Sequence, residues 1–193
     1  MRSVYLHLKI LFEDTTADEK ALMSRTANIL FSDLNRVLIE YTILQVCKIT
    51  DPAKDGRNNN NHTVAFLLQH YDFRKKPEVL ASLDELHRKL LAFRQKLLPA
   101  RNKVISHSDR DTIIAGTALG GAPKSEWDDF WLNLQDFICI THGEVVGGPA
   151  FLINDVAMLS DADGLLKALR HSAHFGRLLQ DPAISRRCTE LLY

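Results

Sequence analysis

The stretch PEVLASLDELHRKLLAFRQKLLPARNKVISH, residues 77–107, decides the fold. From Glu78 onward Leu83, Leu86, Leu90, Phe93, Leu97, Ala100, Val104 and His107 follow one another in steps of three and four. That is the repeat of a helix with one apolar face. Lys75-Lys76-Pro77 introduces the helix, and Pro99 sits where it is expected to kink it just before Arg101.

Outward toward the N-terminus, Asp18 to Thr50 contains neither proline nor glycine, and Leu30, Leu34, Val37, Tyr41 and Leu44 alternate at four and three. The pattern predicts a second long helix with those residues buried. Asp51-Pro52 stops it, because proline disfavours helical geometry in the residue before it. Ala53 to Asn61 reads as a solvated linker, and His62 to Tyr71 as a short helix with Val64, Leu67 and Leu68 inward. Val4 to Phe12 reads as another short helix.

Outward toward the C-terminus, Gly116, Gly120, Gly121 and Pro123 mark a loop. Ser125 with Asp128 suits the start of a helix burying Trp127, Phe130, Trp131, Leu134, Phe137 and Ile138. Gly147 to Ser160 lacks a period and suits a short extended piece. A last helix begins near Asp161, carries Leu165, Leu166, Leu169 and Leu178, and is interrupted by Pro182. Long helices with short connections predict an all-α, up-and-down bundle. It is expected to be one domain over residues 1–193, with a C-terminal helical extension over about 147–193.

The 193 residues, 46% of them hydrophobic, suffice for one core. With 24 basic and 24 acidic residues the formal charge is zero, so phosphate binding has to come from local charge. Cys47, Cys139 and Cys188 lack the spacing of a disulfide framework or zinc site. Val4 to Phe12 contains Lys9 and runs into Glu13-Asp14 without a cleavage site, and Val37 to Cys47 is too short for a bilayer. A cytoplasmic protein without membrane association is expected.

The local charge is on the deciding helix. Between Leu86 and Ser108 no acidic residue occurs, whereas Arg88, Lys89, Arg94, Lys96, Arg101 and Lys103 are basic. For Arg88, Lys89 and Lys96, solvation or pairing with the helix bearing Glu126, Asp128, Asp129 and Asp136 is the preferred reading. For Arg94, Arg101 and Lys103, clustered toward the His107 end, a phosphate role has at least equal weight, and Arg110 is assigned to phosphate with Arg94 and Lys103. His171 and His174 have no nearby carboxylate or cysteine pattern to complete a metal site, and His142 with Glu144 could form a second acid–base pair but nothing in the sequence places a substrate there.

Arg101 and Asn102, with His107 beyond them near the end of a long helix, resemble the motif of the HEPN superfamily. More narrowly, the chain resembles the AbiU-type HEPN proteins associated with abortive infection. The supporting stretches are Leu11-Phe12, Ile49 to Lys54, Thr63 to Leu68, Ala100 to Asp109 and Asp161 to Arg170. The resemblance implies a helical bundle and a metal-independent endoribonuclease needing no cofactor, with Arg101, Asn102 and His107 catalytic. It also implies RNA as a partner, a homodimer, and an antitoxin or another defence protein as a further partner. Histidine suits proton transfer and arginine's planar fork suits phosphate. Asp109 follows closely enough to orient His107.

Six residues rotate a helical side chain by about 120° from its predecessor, so Arg101 and His107 do not share a face within one chain. A two-fold dimer would supply two arginines and two histidines to one composite site. The rival reading is a non-catalytic helical module that binds protein or nucleic acid.

Overall fold

The computed structural model describes residues 1–54, 59–102, 121–150, 152, 161–178, 180–182, 184 and 186. Among these residues the fold is all-α. The helices are α1 (Arg2–Leu8), α2 (Ala17–Ile49), α3 (Val64–His70), α4 (Pro77–Ala100), α5 (Lys124–Val145) and α6 (Ala162–Leu178), with a π-helical turn at Lys9–Glu13 after α1. No described helix is long and apolar enough to cross a membrane. The chain divides into two compact units, one drawn from Met1–Arg2 and Glu40–Val156, the other from Ser3–Ile39 and Ala157–Tyr193.

In the first unit α4 packs chiefly on α5. Leu83, Leu86, Leu90, Phe93 and Leu97 are all buried, as their spacing predicts. On α5 Phe130, Trp131, Leu134 and Phe137 are buried. Phe93 stacks on Phe130 and meets Trp127 edge-on, with ring centroids 4.9 Å apart in both cases. Such pairs contribute about 0.5–1.5 kcal/mol beyond burial and fix how α4 sits on α5. The helix α5 starts one residue before Ser125, capped at Pro123, and ends where Val146 and Gly147 both donate to the His142 carbonyl. Gly147 and Gly148 come next at φ 81° and 78°, a left-handed backbone that favours glycine. The described residues of the 147–160 segment form no strand.

The linker after α2 is more ordered at its ends than its composition suggests. Asn61 donates its backbone N–H to Ala53 O (2.8 Å) and its side-chain amide to Pro52 O (3.0 Å), beside an antiparallel bridge between Lys54 and Asn60. Thr63 then caps α3 by accepting from the Phe66 N–H at 3.2 Å.

In the second unit Leu11, Met23, Phe31, Ala162 and Leu166 form the core, with Leu34 and Leu169 against it. Thr16 and Glu19 start α2 with a reciprocal capping box: the Thr16 N–H donates to Glu19 Oε2 (2.9 Å) and the Glu19 N–H to Thr16 Oγ1 (3.3 Å).

The helix α2 departs from its expected face. Ala27 breaks its geometry (φ −159°, ψ 69°), and Leu30, Val37 and Tyr41 are exposed at 63%, 52% and 40%. The buried positions are instead Met23, Phe31, Thr42, Val46 and Cys47. Periodicity identifies an apolar stripe but not its partner, and the break at Ala27 changes the facing of the turns beyond it.

Candidate functional site at the end of the basic helix

Pro99 does not end α4. Arg101 keeps helical geometry (φ −57°, ψ −48°), its N–H shared between the Leu97 and Leu98 carbonyls. Arg101 and Asn102 then enter a widened π-helical turn. Proline removes one backbone donor and crowds the preceding turn, and a locally wider helix relieves that crowding. The widened turn follows Pro99 directly, at the motif itself.

Along α4 the described basic residues from Arg88 to Lys96 each meet a carboxylate. Arg88 Nη2 lies 2.7 Å from Glu85 Oε2, and Lys89 lies 3.6 Å from the other oxygen of the same carboxylate. Lys96 reaches Glu126 on α5 at 2.6 Å, the pairing that the sequence favoured for it. Arg94 Nη2 reaches Asp51 Oδ1, just beyond α2, also at 2.6 Å. The Arg94 side chain is only 15% exposed, so its guanidinium is held inside the first unit with a carboxylate already on it.

Arg101 is different. Its Nη1 donates to Asn102 Oδ1 at 2.9 Å, and among the described residues it has no carboxylate partner. It is half-buried while Asn102 is exposed. A neutral amide orients the guanidinium without cancelling its charge, leaving donors available for an anion. Arg94 and Arg101 are seven residues apart and so lie on one helix face, about 10.5 Å apart along the axis. Both act on the buried Cys47: burial pushes its thiol up, against the pull of the two guanidiniums.

The structure thus brings Arg94, Arg101 and Asn102 to one end of α4. Lys103, His107, Asp109 and Arg110 lie outside the described residues. Sequence reading missed Asp51 and Cys47 as neighbours of this site. Asp51 carries a local signal as the residue before Pro52, but 43 positions separate it from Arg94, and no spacing rule reaches that far. Among the described residues no group of three or more histidine, cysteine, aspartate or glutamate side chains is placed to hold a metal ion.

The HEPN family model described as AbiU2 matches residues 2–138, more than half of the chain. The match covers α1 to α4 and most of α5; the Asp161 to Arg170 stretch and α6 lie beyond it. No curated protein and no solved structure matches the chain.

Proposed function

The chain belongs to the AbiU2 family of HEPN proteins, and from that premise we propose that it is an abortive-infection or toxin-type effector that cleaves RNA without a metal, through Arg101, Asn102 and His107. The observation carrying this reading is the contrast along α4. The described basic residues from Arg88 to Lys96 are paired with carboxylates, whereas Arg101 is held by the neutral Asn102. A guanidinium without a carboxylate partner among the described residues, at the end of a helix whose other described basic residues are paired, suits a phosphate.

In the proposed reaction the RNA 2′-hydroxyl loses its proton to one His107 imidazole as the 2′-oxygen bonds to phosphorus. The bond from phosphorus to the 5′-oxygen breaks, and a second His107, from the other protomer, protonates the departing oxygen. The products are a 2′,3′-cyclic phosphate and a 5′-hydroxyl. Arg101 stabilises the charge building on the non-bridging oxygens, and Asn102 keeps Arg101 in place. Lys103 and Arg110 extend the phosphate contacts. Arg94, tied to Asp51, makes a direct phosphate contact only if Asp51 releases it.

The test is to incubate purified protein with a panel of structured and single-stranded RNAs without divalent ions and to identify the product ends. Cyclic phosphate ends that vanish in His107→Ala support the reading. Intact RNA throughout, under conditions where another HEPN nuclease cuts, removes it in favour of the non-catalytic module.

A further inference from the structure

The Arg94 guanidinium is only half engaged by its partner. Asp51 Oδ1 accepts from Nη2 at 2.6 Å, whereas Nε, on the same edge of the planar fork, is buried and has no hydrogen-bond partner among the described residues. An anion seated squarely on that edge takes both N–H groups through two oxygens. Asp51 takes one, and a buried N–H left without an acceptor carries the full cost of its lost hydration.

Nor is the carboxylate sealed in. Asp51 stands at the bend between α2 and Pro52, with 25% of its side chain exposed against 15% for Arg94. The other described basic residues upstream on α4 are paired with glutamates; this pair alone among them joins α4 to the end of α2.

Arg94 and Arg101 both act on this end of α2. Burial pushes the thiol of Cys47 up, Arg94 and then Arg101 pull it back, and Asp51, four residues on, adds to the rise. Seven residues along α4 put the two guanidiniums on one face, about 10.5 Å apart along the axis. One carboxylate therefore stands with two arginines, seated on the one farther from His107.

We propose that Asp51 is a built-in competitor for substrate phosphate: its carboxylate holds the Nη2–Nε edge of Arg94, and an RNA phosphate that displaces it gains a second contact beside Arg101. The proposal rests on the reading of the α4 motif and deepens it, because Asp51 then sets how many phosphates the end of α4 grips. A phosphate on Arg94 meets Nη2 and Nε together, which Asp51 does not. A pair that only braced α2 against α4 would behave in the opposite way, since breaking it would loosen the site and weaken binding.

The test is anisotropy of a labelled single-stranded oligoribonucleotide of about 20 nucleotides, measured over a salt series. The proteins are wild type, the neutral variants Asp51→Asn and Asp51→Ser, Asp51→Glu, Asp51→Asn/Arg94→Ala and Arg101→Ala, each checked for a cooperative urea transition. Both neutral variants should bind about threefold or more tighter than wild type at about 50 mM salt, with the slope of log K against log salt steeper by about 0.7, the value of one more phosphate contact on a single strand. Asp51→Glu, which keeps a carboxylate, should show no gain. Asp51→Asn/Arg94→Ala should lose the gain, which assigns it to the Arg94 guanidinium.

Neutral variants that bind no tighter than wild type, with binding still lost in Arg101→Ala, overturn this proposal and leave the α4 reading intact. A gain that needs Arg94 in a protein indifferent to Arg101→Ala leaves this proposal standing and removes Arg101 from the α4 reading. Absence of RNA binding in wild type and neutral variants alike overturns both.

Discussion

The Asp51 carboxylate lies 2.6 Å from the Arg94 guanidinium, joining the end of α2 to α4 two turns before Arg101. Both side chains are shielded, so removing one partner leaves the other inside with its charge unmet. Asp51→Ala should cost about 1–3 kcal/mol, between the values for exposed and fully buried pairs. Urea unfolding measures it; an unchanged midpoint would show that the pair contributes nothing.

Arg101 should separate activity from stability. Its side chain bonds Asn102 at the end of a helix whose core residues lie upstream, so Arg101→Ala should leave unfolding within about 0.5 kcal/mol of wild type. Cleavage should fall about 100-fold or more. Arg101→Lys should not restore it, because a point charge lacks the planar fork. Full activity in Arg101→Ala would take the guanidinium out of the mechanism.

The capping box at the start of α2 predicts an acid dependence. The Thr16 N–H, then the Thr16 hydroxyl, hold the Glu19 carboxyl below the usual glutamate range, and Arg170 adds to the effect. A carboxyl whose folded pKa is depressed stabilises fully above its unfolded value, and that contribution is lost as pH falls through the folded value. Wild type should therefore exceed Glu19→Gln in stability at pH 7, with the gap closing as the solution is acidified below the glutamate range. A gap that stays constant or widens contradicts the assignment.

How far the sequence could be read depended on how local the signal was. The α4 seam was legible because Leu83, Leu86, Leu90, Phe93 and Leu97 repeat without interruption and all are buried. Length and the Asp51-Pro52 stop gave the extent of α2, but its buried face was misread: nothing local to Leu30, Val37 and Tyr41 distinguishes a core stripe from an exposed one. Charge pairing divided the same way. Lys96 with Glu126 could be anticipated from two facing helices, whereas Arg94 with Asp51 depends on how the end of α2 is brought back to α4. The contact of Asn102 with Arg101 joins adjacent residues and needs no long-range information.

The composite site makes a prediction about mixtures. Arg101 and His107 are six residues apart, about 120° around an ideal helix, and the cleavage step asks for both an acid and a base. A two-fold dimer supplies the second histidine, so each site needs two intact chains. When wild type is mixed with an equal amount of His107→Ala and allowed to exchange, roughly a quarter of the dimers keep both histidines. Cleavage should fall to about that fraction of the activity of the same total protein as wild type, whereas sites complete within one chain would retain about half. The guanidinium of Arg101, unmatched by any carboxylate among the described residues, should also repel its copy across the dyad. Dimerisation without RNA should then strengthen as salt screens that repulsion. Sedimentation across a salt series provides the independent check: a monomer at micromolar concentration in every buffer, or activity halved rather than quartered in the mixture, would return the chemistry to a single chain.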